Sequence, residues 1–214
     1  RAYTEVIQDG MLDLIDNGKM TVASATSFAL SPDYAKKMNE EAKRYREHIV
    51  LRPQQISNHP EVIRRTGLIA SNGMIGCDIY GNVNSTNVAG SRIMNGIGGS
   101  GDFTRNAFLS SFISPSTAKD GAISAVVPFA SHVDHTEHDT MVVITEYGYA
   151  DLRGLAPRDR VPKIISIAHP DYRPLLEEYY ERACAAGNHL QTPHDLKTAF
   201  SFHINLEEKG SMKG

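Results

Sequence analysis

The sequence predicts an α/β fold. Short apolar runs alternate with amphipathic helical stretches, as in chains built from βαβ units. Gly, Asn and Pro fall at the points where such elements have to stop. With 214 residues, the chain is long enough to bury a sizeable core, and no internal repeat or low-complexity linker divides it, so one domain is expected.

Each element follows in order. Residues 9–16 carry Met11, Leu12, Leu14 and Ile15 in an amphipathic arrangement, and Asn17-Gly18 supplies a helix stop. A strand is expected at 20–23. Ser31 reads as an N-cap ahead of Pro32 at the first helical position, opening a charged helix that runs toward Arg46. Residues 48–51 read as a strand, 60–66 as a short helix and 68–70 as another strand. Between 71 and 97 Gly and Asn are dense, which predicts loops with short extended pieces. A helix is expected at 102–109, strands at 122–129 and 141–145, and helices at 157–168 and 171–186, the last starting from His169-Pro170. The stretch 188–214, a C-terminal extension, has weak periodicity and reads equally as a segment that wraps the domain or one that dangles.

Composition removes several classes of function. Lys and Arg total 22 against 25 for Asp and Glu, so a net charge of −3 offers no global attraction to nucleic acid or anionic lipid, and any anionic ligand must be met locally. Two cysteines, Cys77 and Cys184, are too few for a disulfide scaffold and fit a reducing compartment. The apolar runs at 125–130 and 141–144 fall far short of the ~20 residues that span a bilayer. The start, Arg1-Ala2-Tyr3-Thr4-Glu5, has neither an apolar leader nor an initiator Met, so a fragment or a processed product is expected.

The strongest local feature is Gly96-Ile97-Gly98-Gly99-Ser100-Gly101-Asp102. Four glycines in six positions let the backbone take positive φ and approach a ligand closely, and a helix start just beyond would present N–H groups to a phosphate or a developing oxyanion. The spacing of Gly96, Gly98 and Gly101 fits the dinucleotide fingerprint, but no convincing strand precedes it, and there is no Gly-Lys-Ser/Thr ending. A tight structural turn explains the same residues.

Other segments carry two readings each. Glu5 stands just ahead of the first helix, where the local pattern favours a carboxylate serving the helix dipole over a carboxylate nucleophile. His132, His135 and His138 recur at three-residue spacing with interleaved carboxylates, which resembles a metal site, but the segment lies between two expected strands and a solvated turn is the commoner outcome. Glu146 follows the 141–145 strand, at the end of the sheet where ligands sit in open α/β folds. The plain alternative is a strand-to-loop junction with Asp151 and Arg153 paired at the surface. Residues 56–60, with Asn58, supply amide and hydroxyl groups that could orient a polar substrate, with Asx turns as the default explanation. Neither cysteine sits in a nucleophile pattern, and no Gly-x-Ser-x-Gly elbow is present.

Taken in order, the strings YTEVIQD at 3–9, LRPQQISN at 51–58, DIYGNVNSTN at 78–87, GIGGSGDF at 96–103, HVDHTEH at 132–138 and ADLRGLAP at 150–157 resemble the C-terminal half of the acetyl-CoA hydrolase/transferase family, nearest to its succinyl-CoA:acetate CoA-transferases. The resemblance extends from residue 3 to about 186. It implies an open, mostly parallel sheet flanked by helices, the second of the family's two related domains. The whole of 1–214 would be that domain, and an N-terminal domain would be absent.

By the same resemblance Glu5 is the nucleophile that passes through an acyl-glutamyl anhydride and a glutamyl-CoA thioester. Asn58 and the backbone N–H groups around Gly98 and Gly99 stabilise the oxyanions. Gly96, Gly98 and Gly99 bind coenzyme A, and Glu146 lies near the carboxylate substrate. Tyr147 departs from the Gln common after that glutamate. Coenzyme A is then a substrate rather than a permanent cofactor, and no catalytic metal is implied. The expected partners are an acyl-CoA, a small carboxylate such as acetate, the missing N-terminal domain and a second copy of the full-length chain, in the cytoplasm, with neither nucleic acid nor membrane. Two alternatives stand beside CoA transfer: acyl-CoA hydrolysis through the same glutamate, and a noncatalytic CoA-binding module. The isolated 214 residues are expected to have little or no activity, because the missing domain would complete the site.

Overall fold

In a computed structural model, which describes residues 1–186 and 189–214, the chain divides into two compact units. The first comprises Arg1–Leu68 and Arg105–Phe108, and the second Ile69–Thr104 and Leu109–Gly214.

In the first unit the strands Ala2–Tyr3, Ala23–Ala25 and Ile49–Leu51 form a parallel sheet with Ala23–Ala25 in the middle, and Val6–Ile7 pairs in parallel with Ser27–Phe28. Helix Asp9–Asp16 turns Leu12 and Ile15 inward, and they pack with Ile7, Ala23, Ala25 and Tyr45. Met20, which the apolar pattern places in a strand, instead donates its N–H to the Leu14 carbonyl at 2.9 Å and closes the helix end. The strand therefore starts at Ala23 rather than at 20. Ser31 precedes helix Pro32–Glu40 in the N-cap position, but its own backbone N–H is what is held, by Asp9 at 3.0 Å. The expected long helix breaks at Glu41 (φ −104°, ψ 22°) before resuming as Ala42–Tyr45. Asp16 explains the bend: it gathers Lys37 from one side of the break and Arg44 and Tyr45 from the other.

The second unit is built on a four-stranded sheet in the order Gly148–Asp151, Val142–Thr145, Leu109–Ile113, Ile69–Gly73. The last three are parallel, and Gly148–Asp151 adds an antiparallel edge. Register aligns Phe112, Val143 and Ala150 on one face, where they share a core with Val161, Ile164 and Ile165 of helix Pro157–Ser166 and with Leu176 and Tyr179 of helix Arg173–Ala186. A smaller sheet sets Gly76–Asp78 between Val126–Val127 and Val83–Asn84. The buried Asp78 carboxylate accepts from the backbone N–H groups of Tyr80, Gly81 and Asn82 and from the Asn82 side chain, so part of the DIYGNVNSTN string closes a turn.

Three expectations for this unit change. The helix at 102–109 is Ser100–Asn106, and Leu109–Ile113 is the strand that joins Ile69–Gly73 to Val142–Thr145. Its two central serines hide that role, yet Phe112 is fully buried. The single strand at 122–129 is two short ones, because the Ala125 N–H goes to Ser116 (2.9 Å) while its carbonyl accepts from Cys77 (2.8 Å), switching the chain from one sheet to another. Asn188, the first residue of the C-terminal stretch, lies outside the described residues. Further on, helix Ser201–Lys209 puts Phe202 into the core, and Met212 joins it, with its N–H on the Ala122 carbonyl at 2.8 Å. Among the described residues no helix is long and apolar enough to cross a membrane.

Candidate active site

Glu5 lies between strands Ala2–Tyr3 and Val6–Ile7. The strands they pair with, Ala23–Ala25 and Ser27–Phe28, are interrupted by Thr26. The Glu5 carbonyl accepts from Thr26 N at 2.9 Å and from Ser27 N at 3.2 Å, which pins the backbone where both strand pairs break. Asp9, not Glu5, is the acid in the first turn of helix Asp9–Asp16, so the helix-dipole role passes to Asp9.

Thr26 continues the connection. Its hydroxyl bonds to that of Ser57, and the Ser57 hydroxyl donates to Asn58 Oδ1 at 2.9 Å. A hydroxyl has one proton to give, so Thr26 is the donor to Ser57. Asn58 caps the four-residue helix Gln54–Ser57 and is only 5% exposed. With Oδ1 occupied, the buried Nδ2 finds no acceptor among the described residues. A buried N–H left in that state costs about 1 to 3 kcal/mol, and a donor held in this way can serve an oxyanion. One unit thus brings Glu5 and Asn58 onto a single run of hydrogen bonds, through Ser57, whose hydroxyl belongs to the 56–60 segment read as able to orient a polar substrate, and through Thr26. Ser57 adjoins Asn58 in the sequence, whereas Thr26 had no local signal.

Gly96, Gly98 and Gly99 belong to the second unit. The loop is preceded by the two-residue strand Arg92–Ile93, paired antiparallel with Asn87–Val88, so it lacks the central parallel strand of a dinucleotide fold. Gly98 has φ +55°, a conformation that favours glycine. Gly99 is buried, and its carbonyl accepts from Phe103 N at 3.0 Å, opening helix Ser100–Asn106.

Glu146 stands in the turn between Val142–Thr145 and Gly148–Asp151. Ser116 holds its carboxylate twice, with its hydroxyl at 2.6 Å and its backbone N–H at 2.8 Å. The Ser116 hydroxyl holds the Glu146 carboxyl below the usual carboxylate range, outweighing the opposing effect of burial. Beside it the Tyr147 ring meets His169 edge-on and carries the Arg173 guanidinium over its face. Asp151 and Arg153 form a surface pair at 2.7 Å.

The three histidines diverge. His132 Nε2 meets Asp134 at 3.2 Å, His138 lies exposed beside Glu137, and His135 is buried with Nε2 at 2.9 Å from the Ser100 hydroxyl. His132 lies in a bend, His135 in a β-bridge with Val83 and His138 in a turn, so no helix gathers their side chains on one face. Among the described residues no cluster of His, Cys, Asp and Glu could hold a metal ion. Burial pushes the Asp134 carboxyl up, but the N–H of Ser85, the Thr86 hydroxyl and His132 outweigh it and hold it below its ordinary range.

Comparison with known proteins places these residues in a family. The acetyl-CoA hydrolase/transferase C-terminal domain matches residues 35–180. The chain is 56% identical to a succinyl-CoA:acetate CoA-transferase of Clostridium kluyveri over 214 residues, covering 99% of this chain and 39% of that protein. It is 51% identical to an acetyl-CoA hydrolase of Schizosaccharomyces pombe over 219 residues, covering 99% of this chain and 42% of that protein. A 4-hydroxybutyrate CoA-transferase from Porphyromonas gingivalis has a similar structure, with a TM-score of 0.65 and 27% identity over 85% of this chain and 45% of that one. The chain spans about two fifths of the length of the curated relatives it matches. The parallel sheet flanked by helices and the family match over most of the sequence lead to one conclusion: this chain belongs to the acetyl-CoA hydrolase/transferase C-terminal domain family.

Proposed function

We propose that this chain is the C-terminal part of a CoA-transferase that moves coenzyme A between a short-chain acyl-CoA and a carboxylate such as acetate or succinate, with Glu5 as nucleophile. The observation that carries the reading is the Asn58 amide, whose buried Nδ2 has no acceptor among the described residues and which is joined by hydrogen bonds through Ser57 and Thr26 to the Glu5 backbone.

The Glu5 carboxylate attacks the thioester carbonyl, the C–S bond breaks, and CoA leaves as a thiolate from an acyl-glutamyl anhydride. The thiolate then attacks the glutamyl carbonyl, releasing the acyl group as a free carboxylate and leaving a glutamyl-CoA thioester. An incoming carboxylate runs the two steps in reverse. Each step exchanges one activated acyl group for another, so alignment and exclusion of water matter more than proton transfer. Each attack passes through a tetrahedral oxyanion, and donors such as Asn58 Nδ2 and the loop N–H groups around Gly98 and Gly99 serve that charge. Gly96, Gly98 and Gly99 are assigned to coenzyme A and Glu146 to the carboxylate pocket. The remaining part of a longer chain, acting as a homodimer in the cytoplasm, completes the pocket, so the 214 residues alone are expected to be inactive.

Borohydride treatment after addition of acyl-CoA tests the nucleophile, because a glutamyl thioester is reduced and the peptide holding Glu5 changes mass. An unchanged peptide in active full-length protein sinks the assignment. The 51% identity to an acetyl-CoA hydrolase supports a second reading, in which water intercepts the same thioester. CoA release from acetyl-CoA that is independent of added acetate or succinate would favour hydrolysis.

A further inference from the structure

The glycine-rich loop contains little that could hold its own shape. Four of the six residues from Gly96 to Gly101 lack a side chain, and a Cβ placed on Gly96 would meet open space. Such a backbone samples many conformations unless something outside it restrains it. Restraint comes from the histidine-rich segment, whose residues neither a metal nor the proposed chemistry uses.

At the start of the loop, Asp134 accepts from Ser85 N at 2.7 Å and from the Thr86 hydroxyl at 2.9 Å. Ser85 and Thr86 in turn accept through their carbonyls from Asn95 Nδ2 and Met94 N, each at 2.8 Å. At the end of the loop, His135 Nε2 lies 2.9 Å from the Ser100 hydroxyl, which also bonds the Ile97 carbonyl at 2.9 Å. That carbonyl is the only one of the two partners unable to donate, so the single Ser100 proton goes to Ile97, and Ser100 accepts the N–H of His135 Nε2. The Ser100 side chain therefore closes the turn over Gly98 and Gly99, and His135 fixes Ser100.

His135 is itself held from several sides. It is 1% exposed, its ring lies 5.0 Å from that of Phe112 in the central strand, and its backbone exchanges both hydrogen bonds with Val83, at 2.7 and 3.1 Å. Its Cε1 stands 3.8 Å from where a Cβ on Gly101 would be.

We propose that His135 is a positioning residue: acting through the Ser100 hydroxyl, it holds the glycine-rich loop in the one conformation that aims the peptide N–H groups around Gly98 at the oxyanion. The inference rests on the acyl-transfer reading above. A loop displaced by about 1 Å loses on the order of 10²-fold in rate, and because Gly96, Gly98 and Gly99 are also assigned to coenzyme A, the effect is read in kcat/KM.

The test uses the full-length protein and measures kcat and KM for acetyl-CoA with succinate or acetate as acceptor. Ser100→Ala and His135→Leu are each expected to lower kcat/KM about 10- to 100-fold. The double variant is expected within about threefold of the weaker single one, because both cut one connection. His135→Gln, which retains a side-chain N–H, is expected to recover most of the loss. Parental kcat/KM in Ser100→Ala overturns the proposal, as do additive losses or a Gln variant no better than Leu. Glu5→Ala run alongside separates the two levels: an active Glu5→Ala protein refutes the acyl-transfer reading itself, whereas an inactive one beside an unaffected Ser100→Ala refutes only the role of His135.

Discussion

The Ser57 hydroxyl donates to Asn58 Oδ1 at 2.9 Å, and this bond fixes the direction in which the buried Nδ2 donor points. Asn58→Ala removes that donor. If the amide serves an oxyanion, kcat falls about 10²- to 10³-fold in the full-length protein, as for other single oxyanion donors. Steady-state kinetics with acetyl-CoA provide the check, and a loss below about threefold would detach Asn58 from the chemistry.

Ser57→Ala leaves the Asn58 side chain free to turn and deprives Thr26 of its acceptor. The expected loss is smaller than for Asn58→Ala, about tenfold in kcat, with about 1 kcal/mol less stability in urea unfolding from the missing buried hydrogen bond. Thr26→Val, which keeps the shape and removes the hydroxyl, should follow Ser57→Ala in direction.

Glu146 titrates low because the Ser116 hydroxyl, ahead of every other influence, binds its charged form. A carboxyl whose pKa is depressed on folding adds stability above its ordinary range and loses it as pH falls through the lowered value. Ser116→Ala should therefore move the Glu146 midpoint upward, so that protonation begins at higher pH. Carboxyl ¹³C NMR titration of wild type and variant reads the shift directly, and an unmoved midpoint would remove Ser116 as its cause.

Met212 is buried at 4% exposure, its N–H bonds the Ala122 carbonyl, and its sulfur accepts from Ser124 N at 3.3 Å. Met212→Ala should cost about 2 to 5 kcal/mol of stability, the usual range for truncating a core methionine. Urea unfolding measures it, and a loss under about 0.5 kcal/mol would mean that the C-terminal segment is not part of the core.

Elements whose ends are written in local chemistry were legible. Helix Asp9–Asp16 ends at Asn17-Gly18 and helix Pro60–Thr66 begins on Pro and ends on Gly67 at φ +63°, and both match their expected bounds. Leu109–Ile113 was not legible, because two serines interrupt its apolar run and its strand character comes from neighbours on both sides, Ile69–Gly73 and Val142–Thr145. The break at Glu41 depends on Asp16, 25 positions earlier, and had no local signal either. Within the candidate site, Glu5, Asn58, the glycine-rich loop and Glu146 were marked by ordered strings of residues. Ser57, Ser100 and His135 fall inside those strings without their supporting roles being legible, and Thr26 and Ser116 lie outside them, because each acts through a hydrogen-bond partner that the fold supplies.

By itself the sequence determined the α/β class, the family and the residues with chemistry to offer, because helix stops, glycine positions and motif order are properties of neighbouring residues. Only the tertiary structure decided that Asn58 keeps a buried donor with no acceptor among the described residues, that Asp9 rather than Glu5 serves the helix dipole, and that three evenly spaced histidines go to three different surroundings. Hydrogen-bond accounting is the physical reason: whether a donor is satisfied depends on what the fold brings within about 3 Å of it, and spacing along the chain carries no such information.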